Sequence, residues 1–156
     1  MGREKFVSST LSRKRFQEIL LLFNKSTEQL GDDRNKIKIV TYEGQNLVVK
    51  SFRTPNFINK IAYRFFRKSK AARSYYNALY LERNEIGTPS PVAYLEQLSA
   101  VGLHESYYVS AYTDHDFTYR EITNDDDLKD QENILIQFTQ FMFKMHEAGV
   151  YFLDHS

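Results

Sequence analysis

The sequence predicts an α+β protein with five antiparallel strands, one helix inserted after the third strand, and a helical segment at the end. Three observations lead there. Lys36-Ile37-Lys38-Ile39-Val40-Thr41-Tyr42 alternates at period two, and Leu47-Val48-Val49-Lys50-Ser51-Phe52 returns after a Gly-containing turn. A second strand pair is spelled by Val92–Leu95 and Tyr107–Tyr112. Residues 11–24 and 128–147 instead carry apolar residues at three- and four-residue steps, the period of a helix.

The elements follow in order. Residues 11–24 (LSRKRFQEILLLFN) form a short helix with Ser12 as N-cap and Phe16, Ile19, Leu20 and Phe23 on one face. Residues 26–30 supply a first strand, and Gly31–Asn35 is a turn cluster. The hairpin 36–52 turns at Glu43-Gly44-Gln45-Asn46. Thr54-Pro55-Asn56 breaks the sheet pattern, and a helical region runs from about Phe57 to Glu85, favoured by Ala71, Ala72 and Ala78. Gly87-Thr88-Pro89-Ser90-Pro91 ends it. The second strand pair turns around Ser99–Gly102. An acidic connector, Asn124-Asp125-Asp126-Asp127, leads to the last helix, which Ala148-Gly149 terminates. Two units result: 1–112, the sheet and its helices, and 113–156, the linker, the long helix and the loop after it.

The chain has 156 residues and a net charge of +1. That charge conceals a strong asymmetry. Residues 1–78 hold 17 Lys and Arg against 6 Asp and Glu, while residues 79–156 hold 4 against 14. A basic half implies an anionic partner such as a nucleotide phosphate, a phosphorylated lipid or nucleic acid; the acidic second half argues against a specific nucleic-acid binder. No Cys is present, which excludes disulfides, thiolate catalysis and Cys-based zinc sites. No apolar run approaches the ~20 residues of a membrane span, and no secretory signal is visible, so a cytoplasmic location is expected.

Three places carry candidate chemistry. Lys50 closes an apolar strand, where a held ammonium reaches phosphates; the ordinary alternative is a strand lysine whose head snorkels to water. Asp154 follows Gly149-Val150-Tyr151-Phe152-Leu153, and a carboxylate presented there accepts a hydroxyl proton; the alternative is a plain turn residue. Lys60, Arg64, Arg67, Lys68, Lys70 and Arg73, interleaved with Tyr63, Phe65 and Phe66, suit an anionic surface, or simply a solvated helix face. His104, His115, His146 and His155 lack metal-ligand spacing, and the glycine-rich, P-loop and calcium-loop patterns are absent.

The order of parts, a hairpin ending in Lys50, then a helix, two strands, a linker, a long helix and Asp154, resembles a protein-kinase-like fold. Val49–Phe52, Pro55–Tyr63, Phe66–Ala71, Arg73–Tyr75 and Gly87–Tyr94 resemble bacterial members of the lipopolysaccharide kinase (Kdo kinase) family. The resemblance implies a five-stranded N-lobe with one inserted helix and the start of a helical C-lobe. It implies an ATP-dependent phosphotransferase acting on a sugar hydroxyl of the lipopolysaccharide core, with peripheral contact at the inner membrane through the basic stretch. Lys50 matches the ATP-phosphate lysine, Asp154 the catalytic-loop aspartate, and Ala111, Tyr112 and Thr113 the hinge that meets adenine. The Mg²⁺ ligands of that family would fall after Ser156, so this chain alone is expected to be inactive. Tyr76 and Asn77 stand where the helix glutamate that pairs with the lysine is sought, and Glu82 and Glu85 lie later. Two alternatives remain open: a non-catalytic kinase-like module that binds nucleotide or a partner, and a basic protein that binds membrane or nucleic acid.

Overall fold

A computed structural model describes residues 2–27, 35–52, 68–100, 102–124 and 129–151. The strands are β1 (Arg3–Ser8), β2 (Asn35–Tyr42), β3 (Gln45–Phe52), β4 (Pro91–Ser99) and β5 (Gly102–Ala111). The helices are α1 (Arg13–Lys25), α2 (Lys70–Arg83), α3 (Tyr119–Asn124) and α4 (Gln131–Glu147). The five strands form one antiparallel sheet in the order β1-β4-β5-β3-β2.

The hairpin turn between β2 and β3 is Glu43-Gly44, with φ of 49° and 77°. Two positive φ angles are what a two-residue hairpin needs to match the strand twist, and Gly44 adopts one without cost. The return strand therefore starts at Gln45, two residues earlier than the sequence pattern suggests. Neighbouring residues along a strand face opposite sides, so the register fixes two sheet faces. On one side lie Val40, Leu47, Val49, Ala93, Leu95 and Val109, sealed by Phe16, Ile19 and Phe23 of α1. On the other, Tyr94 and Tyr108 pack with Ala71, Ala72 and Tyr75 of α2.

α1 begins where the sequence places its cap: Ser12 Oγ accepts the Arg15 N–H at 3.3 Å. Its last turn is closed from the sheet. Lys38 Nζ donates to the Phe23 carbonyl at 3.0 Å and also to the Ser26 carbonyl. A cation on the final carbonyls complements the negative end of the helix dipole. α2 is capped by Ser69, whose Oγ accepts the Ala72 N–H at 3.0 Å. It ends at Arg83, two residues before the expected Glu85, and its closure runs through Glu85 and not through Gly87. Glu85 takes φ 54°, and the Ile86 N–H reaches back to the Leu81 carbonyl at 2.9 Å. That 6→1 bond, with Glu85 N–H on the Glu82 carbonyl, is a Schellman closure that buries Ile86. α4 ends the same way at Gly149 (φ 72°), with Val150 N–H on the Met145 carbonyl at 2.9 Å.

Two expectations are corrected. The fifth strand of the described sheet does not come from the expected stretch 26–30. Residues 26 and 27 are not strand, and 28–30 lie outside the described residues. The strand is Arg3–Ser8, which pairs with β4 from Arg3↔Leu98 to Ser8↔Ala93. Only Phe6 and Val7 in that stretch are strongly apolar, so its pairing comes from a distant partner and not from its own pattern. The linker after β5 also contains a short helix, α3, that the sequence reading lacked. Of the helix expected from Phe57 to Glu85, the part before 68 lies outside the described residues.

α4 meets the rest of the chain at the far end of α2. Tyr80 donates its hydroxyl to the Ala148 carbonyl at 2.7 Å, and Lys144 Nζ donates to the Glu85 carbonyl at 2.5 Å. Met145 is fully buried there.

Candidate functional site

Lys50 lies in β3 directly opposite Tyr108 of β5. Cross-strand partners share a face, so its side chain projects on the α2 side of the sheet, with Phe52 and Tyr108. Lys50 is half-buried. Among the described residues its ammonium has no hydrogen-bond or ion-pair partner. An unneutralised cation on a half-buried sheet face is the chemistry that holds an anionic ligand.

The face around it is built from tyrosines. Tyr75 and Tyr76 of α2 both pack on Tyr94, with ring centroids at 5.3 and 5.8 Å, and the Tyr76 and Tyr94 hydroxyls stand 3.5 Å apart. Burial, helped by the Tyr76 hydroxyl, pushes the Tyr94 phenol well above the ordinary tyrosine range. Burial also pushes Tyr108 up to about 12, and the negative charge of Glu82 adds to the shift. Glu82 is thus the acidic side chain of α2 whose field reaches the residue opposite Lys50. The sequence reading searched one to two turns earlier, at Tyr76 and Asn77. Tyr76 instead stacks with the tyrosines and receives Lys68, whose Nζ sits 4.7 Å from the ring centroid.

The strand end expected to meet adenine is partly committed to the fold. The Ala111 N–H donates to the Ser90 carbonyl at 2.9 Å, and the Tyr112 N–H to the Asn46 carbonyl at 3.0 Å. Thr113 is exposed, and its N–H has no partner among the described residues. The Thr113 N–H is therefore the backbone donor left open at this edge among the described residues. Asp154 lies outside the described residues, as do Lys60, Arg64 and Arg67. Among the described residues, no cluster of three or more His, Asp or Glu is arranged to hold a metal ion.

The two long helices that cover the sheet both start with basic turns. Arg13, Lys14 and Arg15 open α1; Lys68, Lys70 and Arg73 surround the start of α2. Cations near a helix N-terminus oppose its dipole. In α1 two of them are neutralised within the chain. Arg13 forms a two-pronged bond to Glu4 at 2.5 and 2.6 Å, and Arg15 meets Glu43 at 3.1 Å. Lys68, Lys70 and Arg73 are exposed and form no ion pair among the described residues.

The sequence reading missed the tyrosine cluster, although the adjacent pairs Tyr75-Tyr76 and Tyr107-Tyr108 were its visible signal. A small cavity of about 260 Å³, bordered by Thr10, Arg15, Tyr42 and Glu43, opens beside Leu47 and Val92, on the side away from Lys50. No protein family, no curated protein and no solved structure matches this chain. No described helix is long and apolar enough to cross a membrane.

Proposed function

We propose that the chain is the nucleotide-binding part of an ATP-dependent phosphotransferase of the lipopolysaccharide-core (Kdo) kinase type, acting on a sugar hydroxyl. One observation carries this reading: Lys50, on the third strand of a five-stranded antiparallel sheet, offers an ammonium that no carboxylate of the described residues neutralises, beside the helix inserted before the fourth strand. A fixed cation there suits the α- and β-phosphates of a nucleotide. Thr113 is the donor available to the base, and Glu82, whose charge reaches Tyr108 opposite Lys50, is the α2 carboxylate that would turn toward Lys50 when phosphates arrive. ATP would arrive with Mg²⁺, which would supply charge neutralisation for phosphoryl transfer. Asp154 is the residue assigned to the acceptor hydroxyl.

The free cations at the start of α2 support an anionic acceptor or surface. Lys68, Lys70 and Arg73 work against the helix dipole with no carboxylate among the described residues to offset it, an arrangement that favours a bound phosphate or lipid headgroup. Lys60, Arg64 and Arg67 are the further cations that this reading assigns to the inner membrane and the phosphorylated core glycolipid.

The absence of a carboxylate within ion-pair distance of Lys50, among the described residues, favours a second reading: a kinase-like module that binds nucleotide without transferring phosphate. Calorimetric titration with ATP and Mg²⁺ tests both. Binding that falls at least about 10-fold in Lys50→Met, with unchanged far-UV circular dichroism, is the expected result. No binding by the wild-type chain overturns the nucleotide reading. Binding without phosphate transfer to a core saccharide selects the non-catalytic module.

A further inference from the structure

The C-terminal ends of α2 and α4 finish each other. Both helices close through a left-handed residue, Glu85 (φ 54°) and Gly149 (φ 72°). A helix end leaves carbonyls that its own turns cannot satisfy. Here a side chain of the opposite helix takes one at each end. Tyr80, in the last turn of α2, donates its hydroxyl to the Ala148 carbonyl at 2.7 Å. Lys144, in the last turn of α4, donates Nζ to the Glu85 carbonyl at 2.5 Å. Each helix thus supplies one donor and one acceptor. Ile86, just past α2, and Met145, in the last turn of α4, are both buried. Tyr151 stacks on His146 at 5.2 Å, which lays the chain after Gly149 against α4.

We propose that this reciprocal cap is a coupling device, with Tyr80 and Lys144 as positioning residues that make the end of α2 and the chain leaving α4 move as one unit. Its consequence for the reaction rests on the nucleotide reading, which puts phosphates at Lys50 and assigns the acceptor hydroxyl to Asp154, five residues past Gly149 in sequence. α2 lies between these places. Its first half is tied through Ala71, Ala72 and Tyr75 to Tyr94 and Tyr108, and Tyr108 stands opposite Lys50. Its last turn carries Tyr80. A packed helix shifts as a rigid rod, so a displacement beside Lys50 reaches Tyr80 and Glu85 undiminished. Hydrogen bonds of this length do not survive a stretch of about 1 Å. The chain past Ala148 therefore follows α2, or the cap opens. Transfer between held groups loses rate when their separation drifts by about 1 Å, and a cap that ties the two ends together limits that drift.

Amide exchange on the 156-residue chain, read residue by residue by NMR, tests the coupling in two arms. Tyr80 and Lys144 are exposed, so Tyr80→Phe and Lys144→Met remove no core. Without nucleotide, Tyr80→Phe should speed exchange of the Gly149 and Val150 amides about 3- to 10-fold, and Lys144→Met should do the same to Glu85 and Ile86. Each change then acts on the helix that does not carry it. No change, or loosening confined to the substituted helix, overturns the cap. In the second arm, saturating ATP with Mg²⁺ should slow Gly149 and Val150 exchange in the wild-type chain and not in Tyr80→Phe, whose ATP affinity by calorimetry stays within about 2-fold. A nucleotide response that persists in Tyr80→Phe reduces the cap to a structural bond and rejects the coupling. A wild-type chain that binds no ATP overturns the nucleotide reading instead, and the first arm alone then decides whether the two ends move together.

Discussion

α1 and α2 cover opposite faces of one sheet and are built to different ends. α1 seals its face with Phe16, Ile19 and Phe23 over valine, alanine and leucine, and its basic first turn is tied off by Glu4 and Glu43. α2 lies on its face through alanines and tyrosines, keeps phenol hydroxyls inside, and leaves Lys68, Lys70 and Arg73 without a carboxylate partner among the described residues. The first face carries stability because dry, close-packed hydrocarbon is worth most when nothing polar competes. The second face is a compromise. Small Ala71 and Ala72 let the helix approach closely, while Lys50, Tyr94 and Tyr108 set an ammonium and two phenol hydroxyls among the hydrocarbon. A protein that needed only to fold would gain by making the second face like the first.

The largest test of that contrast is on the α1 side. Ile19→Ala removes a side chain with no exposed surface and is expected to cost about 2–5 kcal/mol in urea denaturation. Lys50→Met on the other face should leave the unfolding midpoint almost unmoved, since that ammonium has no partner to lose among the described residues. Equal losses from the two changes would erase the distinction between the faces.

The alkaline limb of stability sharpens it next. Tyr108 is raised to about 12 by burial, against about 10 in the unfolded chain. A phenol with a raised native pKa holds its proton longer when folded. Its contribution is fully present below pH 10 and is lost as pH rises from 10 through 12. Tyr94 acts in the same direction. Tyr107, on the α1 side, is also raised to about 12, by burial and then by Glu105. The fall in melting temperature between pH 9 and 12 should flatten more in Tyr94→Phe/Tyr108→Phe than in Tyr107→Phe. The reverse order would show that the α2 face holds its phenols no more firmly than the α1 face does.

The smallest effect concerns the tied-off charges. Arg13, hydrogen-bonded to Glu4, holds that carboxyl below its usual range. The pair contributes above the ordinary carboxylate pKa, and its contribution is lost as pH falls below it. Glu4→Gln should cost less than about 1 kcal/mol at pH 7, and the difference from wild type should shrink near pH 3 in thermal melts. A cost that persisted at pH 3 would mean that Glu4 acts through packing.

Much of this contrast was visible in the sequence, because it rests on local patterns. Ser12 followed by Phe16, Ile19 and Phe23 spells a capped helix with one wet side. Ile37 to Val49 around Glu43-Gly44 spells a hairpin. Lys50 could be placed on a strand for the same reason. What was not legible depends on distant partners. Arg3–Ser8 is a strand because β4 accepts it, and nothing within six residues announces that. The opposition of Lys50 and Tyr108 is a matter of register between strands whose ends are 50 residues apart. Glu85 closes α2 in a left-handed conformation that the sequence rule assigns to glycine, so the boundary was read two residues late. The α1–Lys38 closure was hidden likewise, since a lysine alternating in a strand reads as a solvated residue.

The pairing of β1 with β4 has a consequence for how the molecule is made. The Ser8 hydroxyl donates to the Val92 carbonyl across 84 positions of the chain at 2.7 Å. The apolar stripe of α1 needs Ala93, Leu95 and Val109 beneath it. On the ribosome, both elements emerge early and wait for β4 and β5 to follow. At roughly 5–20 residues per second that wait lasts about 5–20 s. During it Phe16, Ile19 and Phe23 have only the β2–β3 hairpin for cover. The nascent chain is therefore most exposed to aggregation before Val109 emerges, and long-range pairing of this kind makes the final closure slow.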